Sequence, residues 1–163
     1  NVSDNSIKKE VMLQKGYDAV CYCDILGHAQ QNRNTFKHKV FKHLQGILLN
    51  RPTHVYDYSK HYKELIGEID KDENVIPQIV PQWDHSPRGG RKTNMYIHST
   101  PEYFAKHVRM AMEAIKGKKE EHQILMLKSW NEWAEGNYME PDMTHGRGYI
   151  DALRQVVDEY KKR

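Results

Sequence analysis

Ile124-Leu125-Met126-Leu127-Lys128-Ser129 runs without a break into Trp130-Asn131-Glu132-Trp133-Ala134-Glu135-Gly136-Asn137-Tyr138-Met139-Glu140-Pro141-Asp142. The first six residues read as a short strand, and the stretch after them has no helical period. Apolar spacing resumes at Tyr149, Leu153, Val156, Val157 and Tyr160, one face of a helix. Strand, long polar connection and amphipathic helix make one βα unit, and the same order recurs upstream. Thr100 followed by Pro101 is an N-cap with proline at the first helical position. The stripe Phe104, Val108, Ala111, Met112 and Ile115 continues that helix to a stop at Gly117. Val75 to Val80 is a strand kept short or irregular by Pro77 and Pro81. Ser59 caps a helix carrying Tyr62, Leu65, Ile66 and Ile69, and His54 to Asp57 is the strand before it. Phe36, Val40, Leu44, Ile47 and Leu48 form an earlier helix that Pro52 stops. Asp18 to Asp24 (DAVCYCD) is the first strand, after a helix capped by Ser3 and Asp4 that holds Ile7 and Val11 and ends at Gly16. The order α-β-α-β-α-β-α-β-α favours a parallel sheet with right-handed crossovers. Four consecutive βα units are half of a (β/α)8 barrel, and they also suit a small open doubly wound sheet; periodicity does not separate the two.

The chain has 163 residues, enough for one ordinary domain. Lysine and arginine number 25 against 22 aspartates and glutamates, a net charge of +3 spread over the length. That balance argues against a nucleic-acid-binding arm or a polybasic membrane anchor. Lys116-Gly117-Lys118-Lys119 is followed at once by Glu120 and Glu121, and reads as a helix stop with a solvated turn. With 10% aromatic residues the chain is expected to fold. Its mean hydropathy of −0.88 implies that the core is built from narrow apolar stripes. No apolar run approaches transmembrane length, and no signal peptide is visible. The chain begins at Asn1, not Met, so an N-terminal portion is expected to be missing. Cys21 and Cys23 cannot build a disulfide framework; both read as buried reduced thiols on one face of their strand.

Loop lengths say where chemistry belongs. Helix-to-strand connections are short, whereas Ile25 to Asn34, Trp83 to Ser99 and Trp130 to Arg147 are long strand-to-helix connections. Long structureless loops are uncommon unless functional, and ligands of parallel α/β folds bind at the carboxyl ends of strands. All three tryptophans, Trp83, Trp130 and Trp133, lie in two of these loops. An indole there stacks on a flat ligand or packs beneath the loop.

Glu132 and Glu135 follow a strand and stand three residues apart. In a helical turn that spacing puts the two Cβ atoms about 5–6 Å from each other. Glycosidic bond cleavage needs two carboxyl groups, one of them kept protonated, and tryptophan faces suit the C–H face of a sugar ring. The bland alternative is a solvated acidic loop in which the indoles cover the end of the sheet. In Trp83-Asp84-His85-Ser86-Pro87-Arg88-Gly89-Gly90-Arg91, Asp84 could accept hydroxyl hydrogen bonds and Arg88 could fork onto a phosphate or carboxylate. Equally, Asp84 and Arg88 could pair to hold the loop. No phosphate-binding glycine fingerprint is present. The ten histidines are scattered, His38 and His43 do not share a helix face, and Asp84, His85 and His145 form the one plausible trio for a metal. The reading is that neither metal nor cofactor is required.

The WNEWAEG stretch at Trp130 to Gly136, with Glu140-Pro141 and Gly146 to Ala152 (GRGYIDA), resembles the C-terminal signature of the WbsX-like family. Gly16 to Val20 (GYDAV) and Pro81 to Arg88 (PQWDHSPR) agree with it. That family is labelled as glycosyltransferases of surface polysaccharide synthesis, including lipopolysaccharide, and is related to glycoside hydrolase family 99, the endo-mannosidase type. The resemblance covers nearly the whole chain but only the second half of the family domain. It implies a (β/α)8 barrel whose last four units are residues 1–163, a single partial domain. It implies Glu135 as general acid/base at the glycosidic oxygen and Glu132 as the carboxylate acting on the sugar 2-hydroxyl, which serves as internal nucleophile through an anhydrosugar. Asn131, Trp133 and Tyr138 would shape the sugar subsite, with Trp83, Asp84 and Arg88 as further substrate contacts. His85 stands where the family more often has asparagine, and His145 where an aromatic is common.

The expected function is a carbohydrate-active enzyme working on an oligosaccharide or polysaccharide, by hydrolysis or by transfer, in the bacterial cytoplasm. The absence of a nucleotide-binding fingerprint tilts toward hydrolase-like chemistry. The alternatives are a non-catalytic sugar-binding module and a small α/β protein whose tryptophan loop binds a partner. Half a barrel exposes two unpaired edges, so a fragment or a self-associating chain is expected.

Overall fold

The computed structural model describes residues 4–22, 54–90 and 93–162. Its helices and strands, in chain order, are α1 (Asp4–Gln14), β1 (His54–Asp57), α2 (Tyr58–His61), β2 (Gln78–Ile79), α3 (Ser86–Gly89), β3 (Asn94–Ile97), α4 (Pro101–Ile115), β4 (Met126–Leu127), β5 (Asn131–Glu132), β6 (Asn137–Tyr138) and α5 (Gly148–Lys161). The class is mixed α/β, with parallel and antiparallel strand pairs and no closed barrel among the described residues. The expected helix over Phe36 to Leu48, the loop Ile25 to Asn34, and Cys23, Asp24, His38, His43 and Arg91 lie outside the described residues.

The two long helices form as their patterns require. The Thr100 hydroxyl accepts the Tyr103 amide, Pro101 takes the first helical position, and Phe104, Val108, Ala111 and Ile115 turn inward. Tyr149, Ala152 and Val156 form the matching buried face of α5. The two helices meet in one core with Ile79 and Met139, and the Phe104 and Tyr149 rings pack edge to face at 5.7 Å. At the rim of this contact Arg109 binds Glu159 through two bonds of 3.0 and 2.9 Å.

The strands follow the expected alternation only in part. Val20 bridges Val75 in parallel, and β2 pairs with β4 in parallel at Gln78↔Met126 and Ile79↔Leu127. These segments give one parallel run in the order Val20, β2, β4. Among the described residues the β1 strand does not join it. It pairs in parallel with β3, His54↔Asn94 through Asp57↔Ile97, and the segment at Trp83 to His85 lies antiparallel along β3. β1 and its neighbours supply Tyr56, Tyr58, Tyr62 and Tyr96, which bury together as a second core. Tyr58 donates its proton to the Val80 carbonyl at 2.6 Å. Its 3.0 Å contact with His107 Nδ1 is therefore made by the proton on the imidazole. Burial pushes the fully enclosed His107 down to about 4.

Several other expectations are corrected. The helix from Ser59 to Ile69 breaks into α2 and two 3₁₀ turns, Tyr62–Glu64 and Glu68–Lys71. Asp57, not Ser59, is its cap, with the carboxylate accepting the Ser59 amide and hydroxyl. The Trp83 to Ser99 connection is not structureless, since it holds α3 and β3. Lys118 does not lie in a solvated turn: it is buried, and its Nζ donates to the Val75 carbonyl at 2.5 Å, its stem covered and its head satisfied by backbone. Desolvation lowers its pKa. Cys21 is only half-buried, and its sulfur accepts the Gln78 side-chain amide at 3.8 Å. No described helix is long and apolar enough to cross a membrane.

Candidate active site at the WNEWAEG hairpin

The residues after β4 fold back on themselves. β5 and β6 pair antiparallel, with Asn131 opposite Tyr138 and Glu132 opposite Asn137, and the 3₁₀ turn Trp133–Glu135 closes the hairpin. Gly136 leaves that turn in the left-handed conformation, at φ 51°. A side chain at Gly136 would meet Asp84, because a built Cβ comes within 2.9 Å of the Asp84 Cβ and 3.0 Å of its amide nitrogen. This close approach lets the Asp84 amide donate to the Glu135 carbonyl at 2.9 Å, which ties the hairpin to the segment after β2.

Asn137 makes the second tie. It is fully buried, and its side-chain amide donates to the carbonyls of Gln82 (2.5 Å) and Lys128 (2.9 Å). Its own carbonyl accepts the Ser129 hydroxyl at 2.6 Å. One asparagine thus fastens both long connections, a role that no residue pattern in the sequence announces.

Held this way, Glu132 and Glu135 converge. Arg88, on α3, places one guanidinium nitrogen 3.1 Å from Glu135 Oε1 and 3.7 Å from Glu132 Oε1. Two oxygens that share one nitrogen at those distances are no more than about 7 Å apart, close enough to act on one substrate. His85 Nε2 stands 3.4 Å from the same Glu135 oxygen. Glu135 is the more enclosed carboxylate, with its side chain 20% exposed against 47% for Glu132. Asp84 does not pair with Arg88. Its carboxylate accepts the Ser86 amide at 2.9 Å and caps the turn that carries His85 and Arg88.

The aromatic residues divide into two groups. Trp133 stacks on Tyr138, with centroids 3.7 Å apart and planes 12° from parallel, and its indole N–H donates to Glu140 at 2.6 Å. Trp130 and Trp133 are half exposed. Burial raises the pKa of the Tyr138 phenol, aided by the charge of Asp142. Trp83 instead packs against the tyrosine core, with the Lys128 ammonium 5.0 Å over its ring and His85 at 6.2 Å. Asn131 is exposed on β5. The structure therefore gathers Glu132, Glu135, Arg88, His85 and Asp84 into one cluster and Trp133 with Tyr138 beside it, and turns Trp83 inward. Lys128, Ser129, Asn137 and Glu140 complete the surroundings, and sequence reasoning assigned none of them a role. Among the described residues no group of three histidine, cysteine or acidic side chains could hold a metal ion. A cavity of about 570 Å³ lies elsewhere, between Ile66–Lys71 and α4, with Arg109 and Glu113 on its wall.

The family model described as Glycosyltransferase WbsX matches residues 2–153. The chain is similar to the proteins named "Uncharacterized protein WxcX" from two strains of Xanthomonas campestris pv. campestris. It is 29% identical to one over 104 residues, which is 63% of this chain and 15% of that protein. It is 32% identical to the other over 101 residues, 59% of this chain and 14% of that protein. The aligned part thus spans about one-seventh of the length of these curated relatives. No solved structure matches the chain. With its motifs and with a family match over nearly its whole length, this chain belongs to the Glycosyltransferase WbsX family.

Proposed function

We propose that this chain carries the acid/base end of a carbohydrate-active site that makes or breaks a glycosidic bond. Glu135 is the general acid/base at the glycosidic oxygen, and Glu132 is the assisting carboxylate that acts on the neighbouring sugar hydroxyl. Asn131, Trp133 and Tyr138 hold the sugar ring, while Asp84 and Arg88 line the approach and Trp83 backs it from behind His85. The observation that carries this reading is the convergence of the two glutamates on Arg88 beside a half-exposed indole. Solvated acidic side chains of a plain loop have no reason to meet. The family description adds support for carbohydrate chemistry. Hydrolysis and glycosyl transfer use the same acid/base and the same subsite, and differ in whether water or a sugar hydroxyl attacks.

The same reading takes residues 1–163 as a single partial domain, the last four βα units of a (β/α)8 barrel of the glycoside hydrolase family 99 type. The substrate is then an oligosaccharide or polysaccharide of the cell surface, such as lipopolysaccharide, handled in the cytoplasm, and the remaining barrel half or a second copy covers the open strand edges. Glu135→Gln tests the chemistry. Loss of a positioned proton donor should lower turnover by roughly 10²–10⁴-fold with sugar affinity nearly unchanged. Equal turnover in the variant would remove Glu135 from the reaction.

A second reading, a sugar-binding module without catalysis, is favoured by Arg88, which occupies both carboxylates as an ion-pair partner. It requires that the unaltered protein bind sugar with no turnover at all.

A further inference from the structure

Trp133 opens the 3₁₀ turn that ends in Glu135, so any tilt of its indole moves a bound ring relative to that carboxylate. Two contacts define the indole plane. Tyr138 lies flat beneath it at 3.7 Å, and Glu140 accepts the ring N–H in the plane at 2.6 Å. The stack fixes the tilt, and the in-plane bond stops rotation about the ring normal. Glu140 is itself anchored, since its amide and that of Met139 both donate to the Trp130 carbonyl. An indole N–H at a half-exposed position would be satisfied by water, so the carboxylate contributes orientation where solvent would serve for solvation alone. Tyr138 covers one face of Trp133. The residue is nonetheless 48% exposed, which leaves the opposite face open.

The charge around this open face is unbalanced. Glu140 holds the ring N–H, Glu132 and Glu135 flank Trp133 within two positions in the chain, and the cations of the cluster are Arg88, already paired with two carboxylates, and Lys128, placed over Trp83. An acidic sugar would meet an acidic rim, and a neutral ring would not.

We propose that Glu140 is a positioning residue that locks Trp133 as a one-sided platform for the C–H face of a neutral pyranose. This rests on the glycosidic reading above and adds to it the charge class of the substrate and a residue that acts through another. The test is a titration of the intact protein with methyl α-mannopyranoside, methyl α-glucopyranoside and methyl glucuronate sodium salt, followed on the tryptophan indole N–H signals, of which Trp133→Phe removes one and so assigns it. Glu140→Ala should shift the Trp133 indole signal and weaken binding of the neutral glycosides about tenfold. Glu140→Gln keeps an acceptor oxygen and should stay within about twofold of the unaltered protein. The proposal is overturned if Glu140→Ala leaves signal and affinity unchanged while neutral sugars bind, which spares the glycosidic reading. It is overturned equally if the glucuronate binds as tightly as the neutral sugars. Failure of all three glycosides to bind the unaltered protein would remove both.

Discussion

Gly136→Ala is the sharpest test of how the site is built. Gly136 sits at φ 51° between the candidate acid/base and the buried Asn137. A left-handed conformation costs a non-glycine residue about 1–2 kcal/mol. The new methyl would also lie 2.9 Å from the Asp84 Cβ, 3.0 Å from its amide nitrogen and 3.1 Å from its carbonyl oxygen. Two of those atoms are backbone, so the clash cannot be relieved by turning a side chain. The hairpin must lift, and the 2.9 Å bond from the Asp84 amide to the Glu135 carbonyl is lost, for about 1 kcal/mol more. Together these give a destabilisation of about 2–3 kcal/mol. For a chain of this size that is a fall in melting temperature of about 4–12 °C. Gly146 supplies the control, because its φ is 54° and no atom lies within 4 Å of a built Cβ. Gly146→Ala should show the conformational cost alone, about 1–2 kcal/mol. Urea unfolding of both variants beside the unaltered protein measures the difference. If Gly136→Ala is no worse than Gly146→Ala, the close approach to Asp84 is not what holds the hairpin, and the account of how Glu135 is placed is wrong.

Stability should fall as pH drops from 6.5 toward 4, because the unfolded chain protonates His107 at the ordinary value while the buried imidazole resists until about 4. The loss is roughly 3 kcal/mol, and a pH series of denaturant midpoints should show His107→Gln with that portion of the slope removed. Asn137→Ala strands the carbonyls of Gln82 and Lys128 and should cost roughly 2–4 kcal/mol by the same unfolding assay. Asn137→Asp keeps the shape but sets a carboxylate against two carbonyls, so it should be at least as harmful; a neutral result would show that those bonds are unimportant. Phe104→Ala empties a fully buried site against Tyr149 and should cost about 3–5 kcal/mol, read from the shift in urea midpoint with unchanged m-value.

Periodic and adjacent features were legible in the residues. The Thr100-Pro101 cap, the inward stripe of α4 and the buried face of α5 depend on contacts that each helix would present to any apolar neighbour, so a local pattern specifies them. The nearness of Glu132 and Glu135 follows from local sequence as well, because Glu132 ends β5 and leads directly into the 3₁₀ turn that ends in Glu135. What the tertiary structure alone decided was long-range. Which strands pair is one such feature: β1 joins β3 beside the four buried tyrosines, and Val20 meets Val75, a choice no four-residue strand encodes by itself. Arg88 reaches the glutamates at sequence separations of 47 (135 − 88) and 44 (132 − 88), and Asn137 reaches Gln82 at 55, so their roles exist only once the chain has closed on itself. Trp83 reads as a site residue by position, and the fold packs it partly against the tyrosine core with His85 and Lys128 at its ring, contacts that only the closed chain provides.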